Sequence, residues 1–297
     1  MKLNRGKVAI DRLRKIWFFK PLESVLVGIT SGKVYGSPLT KIAPNHYQFR
    51  PGSIRKVVRD GIRYRLDLSD IVDWFVYFGF RETARTELYK LMHEGQVFVD
   101  VGANMGDVTL HAASLLGEGG QVISLEPDPL NFRRLMTNLS LNSFKNIEAY
   151  NVGAGNKAGT ELIYNVSEGN QGMNRILSKV EPNMVGREIT LTTLDQLFDK
   201  IRPSRVDLIK IDTEGFEMNA LEGARRTIER FSPIFFIEID DNNLKLQNST
   251  AKELIDFLTG FGYSCRNAEN GLDIDPTQDY SNCHFDLIAV RNIKSGL

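Results

Sequence analysis

From residue 96 onward, the chain alternates short apolar runs with segments whose apolar positions recur every three or four residues. The runs "QVFVDV" (96–101), "QVISLE" (121–126), "IEAYNV" (147–152), "VDLIKID" (206–212) and "PIFFIEI" (233–239) are mostly apolar and read as buried strands. Helices are predicted over about 107–116, 129–141, 217–231 and 250–260. "ELIYNV" (161–166) and "REITLTT" (187–193) read as an inserted antiparallel pair. "YSCR" (263–266) and "HFDLIAVR" (284–291) close the chain as two strands with no helix between them. Repeated strand–helix units of this kind predict an α/β fold. Its sheet is mostly parallel and seven-stranded, with helices on both faces and an antiparallel edge.

Before residue 96 the pattern is weaker. Val8, Leu13, Ile16, Trp17, Leu22, Val25 and Leu26 form an imperfect helical stripe over 1–27, broken near Pro21. Residues 31–53 are rich in turn formers and read as connection or short hairpins. "VVRDGIRYRLDL" (57–68) alternates around Asp60-Gly61, a hairpin signal. A helix over 71–94 leads into the main domain. Neither an internal repeat nor a low-complexity tract occurs.

Charge sharpens this division. The 297-residue chain is formally neutral, yet residues 1–65 hold 15 Lys and Arg against 3 Asp and Glu. The expected organisation is therefore a basic extension over 1–65 and a main domain over 66–297. The extension suits an anionic partner or an acidic surface of its own chain, and its first 27 residues suit peripheral membrane contact. No apolar run approaches the roughly 20 residues that span a bilayer, and no signal-peptide pattern is evident, so the expected location is cytoplasmic. Two cysteines, Cys265 and Cys283, are too few for a disulfide framework and read as reduced thiols. A structural zinc site has no paired Cys/His cluster to hold it.

In an open α/β sheet, ligands bind beyond the carboxyl ends of the strands. The first such end is "DVGANMGD", 100–107. Gly102 permits the turn, Gly106 lets the helix start close to sheet and ligand, and Asn104 tolerates left-handed backbone while offering an amide. Asp100 and Asp107 flank the loop; Asp107 at a helix start repels phosphate and favours an ammonium group. Glu126, 24 residues after Gly102, ends the next strand where an acid can accept hydrogen bonds from both ribose hydroxyls. Gly153 and Ala154 are small enough to lie against an adenine face. Together these residues look like a site for S-adenosylmethionine, a nucleoside with an ammonium and no phosphate.

"FVDVGANMGDVTLHAA", "SLEPDPLNFRRLMTNLSLN", "VGAGNKAG", "TTLDQLF" and "LIKIDTEGFEMNALEGA" resemble, in that order, the FkbM family of methyltransferases, over about residues 70–291. The resemblance implies a class I, Rossmann-like methyltransferase fold. It also implies methyl transfer to a hydroxyl of a glycan or natural product.

"IKIDTEGFE" has a chemistry of its own. Lys210 and Asp212 share one strand face, and Glu214 and Glu217 follow on the turn. Asp212 is placed to orient an acceptor hydroxyl and take its proton, with Lys210 pairing Asp212 or Glu238. Glu214, Glu238 and Asp240 could add to the site, or Glu238 and Asp240 ligate Mg²⁺, although a metal is not favoured. His111 and His284 read as structural, and His46 and His93 carry no site argument.

Other classes fit less well. An RNA methyltransferase would use the basic arm, yet "DTEG" stands where base-amine enzymes carry Asn-Pro-Pro, and acids there repel phosphates. A non-catalytic cofactor-binding module leaves the acids at four strand ends without a purpose. A nicotinamide dehydrogenase conflicts with the loop spacing and Asp107.

Overall fold

The computed structural model describes residues 19–165, 174–177 and 184–291. The stripe over 1–27 is thus described only from Phe19, which is extended at φ −75° and ψ 113°, so the helical path does break near Pro21 as expected. Helix α1 (Lys20–Thr30) has this proline in its first turn. A proline there loses no hydrogen bond and brings a preset φ, so the residue that ends any helix before it also opens this one.

The chain divides into two compact units after Thr86. In the first, β1 (Ile54–Arg59) and β2 (Ile62–Asp67) form the expected hairpin. Its turn, Asp60 and Gly61, has φ of 48° and 81°, the left-handed pair that matches strand twist. Ile62, Tyr64 and Leu66 alternate into the core, and helix α2 (Ile71–Phe78) packs on this hairpin. That packing carries the first unit past the change of charge at 65/66. Asp70 caps α2 by accepting from the N–H groups of Val72 and Asp73. The single helix expected over 71–94 is two, because Gly79, at φ 66°, ends α2 before α3 (Thr83–Lys90).

The second unit starts with β3 (Val97–Val101), α4 (Asp107–Leu116), β4 (Gln121–Leu125), α5 (Pro129–Ser140) and β5 (Ile147–Tyr150). Four strands follow: β6 (Gly153–Ala154), β7 (Gly159–Asn165), β8 (Asn174–Ile176) and β9 (Gly186–Thr192). They form their own sheet in the order β6-β9-β7-β8. The antiparallel β7–β9 pair was legible in the sequence; β8 is too short to show a period. The chain continues with α6 (Leu194–Ile201), β10 (Leu208–Ile211), α7 (Glu217–Glu222), α8 (Arg225–Phe231) and β11 (Ile234–Asp240). It ends with α9 (Asp241–Leu246), α10 (Ala251–Gly260), β12 (Tyr263–Asn267) and β13 (His284–Arg291). Helices α6 and α9 were not expected; both begin on side-chain caps, Thr193 and Asp240. The helix expected over 217–231 is α7 and α8. They meet at Gly223, where a β-carbon would lie 2.0 Å from the carbonyl oxygen of Gly155.

The main sheet is seven-stranded, ordered β12-β13-β11-β10-β3-β4-β5. Strands β11, β10, β3, β4 and β5 are parallel, whereas β13 runs antiparallel to both β11 and β12. Strand order reverses between β3 and β10, so their carboxyl ends flank the crevice. Buried Val99, Ile123, Ile209, Ile211 and Phe235 supply the sheet's part of one core, covered by Leu254 and Leu258 of α10.

Candidate active site

The loop after β3 holds three residues in the left-handed region: Gly102 at φ 83°, Asn104 at 49° and Gly106 at 94°. Asparagine tolerates this conformation better than most side chains, so Asn104 serves where a third glycine would otherwise stand. Glycine is required at 102 for a second reason. A β-carbon there would sit 1.9 Å from the carbonyl oxygen of Asp212, so the loops after β3 and β10 are in backbone contact.

Glu126 sits beside this loop and is almost completely buried. Its Oε2 accepts the N–H of Asn104 at 2.7 Å, and its Oε1 accepts that of Asp128 at 2.9 Å. Burial pushes its pKa up to about 7, against the pull of those two donors. Each carboxylate oxygen keeps a lone pair for a further donor.

Asp100 and Lys210 are register partners on β3 and β10, and side chains in register share a sheet face. Lys210 is 6% exposed. Its Nζ lies 3.4 Å from Asp100 Oδ1 and 3.2 Å from Asp212 Oδ2, and it donates to the Gly102 carbonyl at 3.2 Å. Burial works against the ammonium, but the two carboxylates outweigh it and hold its pKa above the usual lysine value. Asp100 Oδ2 also accepts from Thr109 Oγ1 at 2.7 Å. Sequence reasoning gave Lys210 the partners Asp212 or Glu238. The structure gives it Asp212 and Asp100, a pairing across strands that needs the strand order to be seen.

Asp212 is the exposed member of this group, its side chain 43% accessible. Among the described residues, Lys210 is the carboxylate's only ion-pair partner. The neighbouring acids differ. Glu214, in a left-handed turn at φ 56°, accepts from Arg175 at 2.8 Å and from Asn243 at 3.1 Å. Burial, reinforced by the Asp212 charge, raises its pKa to about 7. Glu217 turns back to accept from the N–H groups of Thr213 and Gly215 and from Thr213 Oγ1. It therefore fastens the turn. Glu238 lies on β11 beside this cluster, and burial together with the Asp212 and Glu214 charges raises its pKa well above the carboxylate range. Asp240 is committed elsewhere: it caps α9 and pairs with His284 at 3.3 Å.

The remaining expected positions have local roles too. Asp107 opens α4 and pairs with His111 at 3.3 Å, and that ring stacks on Tyr89 at 5.2 Å. Gly153 and Ala154 are buried in β6, and a β-carbon on Gly153 would meet Leu191 at 2.7 Å and Pro127 at 3.3 Å. That packing by itself accounts for the small residue at 153. Sequence reasoning missed Arg175, Asn243 and Asp128. Asp128 is fully buried, caps α5, and accepts from Asn174 Nδ2 and Arg187. The Asp-Pro of "EPDP" was the signal for that cap.

The donor set suits a nucleoside carrying an ammonium. Glu126 offers acceptors, and the loop's free side-chain atom is also an acceptor: Asn104 Oδ1 is buried without a hydrogen-bond partner. Fold and site thus define the class of S-adenosylmethionine-dependent methyltransferases. The methyltransferase FkbM domain model matches residues 100–265, more than half of the chain, and the protein belongs to that family.

Among curated proteins, Methyltransferase 1 of Beauveria bassiana is 24% identical over 142 residues, which cover 42% of this chain and 57% of that one. The chain thus spans little more than half the length of this relative. Two solved structures illustrate the likeness. Methyltransferase FkbM from Methylobacillus flagellatus KT is 19% identical with a TM-score of 0.43, over 73% of this chain and 52% of that chain. Fibrillarin from Aeropyrum pernix, with bound S-adenosyl-L-methionine, is 15% identical with a TM-score of 0.44, over 81% and 84%.

Proposed function

We propose that this protein methylates a hydroxyl of a sugar, glycan or natural product. The observation that carries this reading is Asp212: an accessible carboxylate in the crevice, set beside a buried ammonium and in backbone contact with the cofactor loop. Bound S-adenosylmethionine supplies a methyl group on a positively charged sulfur. Glu126 accepts the ribose hydroxyls, while Asn104 and the Asp100 side of the loop receive the amino-acid end. Lys210 holds the Asp212 side chain in place through their ion pair, and Asp212 orients the acceptor hydroxyl and takes its proton as the oxygen attacks. Glu214 and Glu238 stand beside Asp212 on the acceptor side, and the accessible Asp212 carboxylate disfavours a phosphate-rich acceptor such as RNA.

The test has two stages. Radiolabelled methyl transfer to fractionated extract (glycan, lipid, small molecule, RNA) identifies the acceptor; labelled RNA alone would overturn the assignment. On that acceptor, Asp212→Asn should lower kcat by about 10²- to 10⁴-fold, the usual contribution of a general base. Full activity in this variant would remove Asp212 from the reaction.

A second reading concerns location: peripheral contact of residues 1–27 with an anionic membrane. Phe19, Val25 and Ile29 at α1 are 65%, 56% and 38% exposed, an apolar face in a basic stretch of chain. Among the described residues, no helix is long and apolar enough to cross a membrane.

A further inference from the structure

The two loops that meet at the strand-order reversal are linked at three levels. Asp212 N–H donates to the Val101 carbonyl at 3.1 Å, and Gly102 is pressed against the Asp212 carbonyl. Between their side chains lies one buried ammonium. Lys210 reaches Asp100 and the Gly102 carbonyl on the cofactor side and Asp212 on the acceptor side, all within 3.4 Å. A buried cation shared by two carboxylates is a natural coupler, because whatever neutralises one carboxylate strengthens its hold on the other.

We propose that Lys210 is a positioning residue that couples the two halves of the site. Through its ammonium, the charge on Asp212 sets how strongly the loop at Asp100 and Gly102 holds the amino-acid end of the cofactor. The inference rests on the cofactor and base assignments above. Asp212 takes the acceptor's hydroxyl proton as that oxygen gains the methyl, and the carbon–sulfur bonding pair stays on sulfur. Asp212 is then neutral. The ammonium draws closer to Asp100 and the Gly102 carbonyl, leaving less negative charge for the product's own ammonium. Proton arrival at the base therefore loosens the product, S-adenosylhomocysteine, at the far side of the loop.

Other charges face these groups. Glu214, from the turn after β10, and Glu238, from β11, feel the charge of Asp212, and Glu126 that of Lys210. A test by substitution therefore isolates the coupling better than a pH profile alone. Titration calorimetry with S-adenosylhomocysteine is run on the native chain, Asp212→Asn, Lys210→Met and the double variant. Asp212→Asn copies the protonated base. It should weaken binding about fivefold in the native background and less than twofold once Lys210 is gone, a coupling of ordinary size between linked sites.

Equal effects in both backgrounds, or no effect in the native one, overturn the coupling while leaving the cofactor assignment intact. Failure of the native chain to bind overturns both. Lys210→Met leaves Asp100 buried without a counter-ion and can unfold the chain. The Asp100 carboxyl carbon resonance in Asp212→Asn then decides: it must move if the ammonium moves, and an unchanged resonance refutes the proposal.

Discussion

Replacing Glu126 by glutamine tests the cofactor site at a buried contact. In the native chain the carboxylate receives two backbone donors, from Asn104 at 2.7 Å and Asp128 at 2.9 Å, and both oxygens remain open to ribose hydroxyls. Glutamine has one acceptor oxygen. Its NH₂ group must confront one of the two backbone N–H groups, and it can no longer receive the second hydroxyl. The loss is one charge-assisted hydrogen bond, about 1.5–3 kcal/mol, or roughly 10- to 150-fold in S-adenosylhomocysteine affinity.

Acidity adds a second signature. Because the hydroxyls bind the ionised form and the native pKa is about 7, affinity should be full above pH 8 and fall as pH drops below 7, by up to about tenfold per unit. Stability runs the opposite way. A carboxyl raised from 4.5 to about 7 holds its proton more tightly when folded. Its contribution is therefore present below pH 4.5 and is lost as pH rises through 7, a change of about 3 kcal/mol. Calorimetry at pH 6, 7 and 8, with thermal melts of both chains, reads the two trends. Glutamine should flatten both. Binding by Glu126→Gln within threefold of native at pH 8, or native affinity that strengthens in acid, would refute the assignment.

Three more outcomes are expected. Gly102→Ala places a carbon 1.9 Å from the Asp212 carbonyl at a left-handed φ, and should cost more than about 3 kcal/mol in a denaturant titration. A native-like midpoint would mean that the loops are not in contact. Arg175→Met leaves Glu214 without its ion pair, whose side chains are 15% and 17% exposed. The midpoint should fall by roughly 3 kcal/mol, and an unchanged melt would show that the pair adds nothing. Removal of residues 1–27 should abolish co-sedimentation with anionic vesicles; retained binding would place the contact elsewhere.

The main sheet was legible because its central parallel strands are buried on both faces and announce themselves as apolar runs, as in "VFVDV" and "LIKI". The same alternation of runs and helices put Gly102, Glu126 and Asp212 at strand ends, where ligands bind. Cross-chain pairings stayed hidden. Lys210 meets Asp100 only because β10 lies beside β3, 108 residues apart along the chain from the Gly102 carbonyl that Lys210 also reaches. Short capped helices such as α9 hold too few apolar positions to repeat a period, so their caps were the signal to read. Pro21 marked a helix boundary because the ring that breaks a helix interior suits a helix start. Asp240 looked like a further site acid; its carboxylate is spent on the α9 cap.

Strand β8 has a consequence for how this enzyme could acquire new acceptors. Its three residues are each fastened to a neighbouring element: Asn174 to Asp128 close to Glu126, Arg175 to Glu214 close to Asp212, and the Ile176 carbonyl to Gln247. A strand of three residues with a side-chain or carbonyl tie at each one is a poor place to introduce substitutions. For directed evolution, Asn174 and Arg175 are then positions to hold fixed, the rivet that ties this strand to both loops.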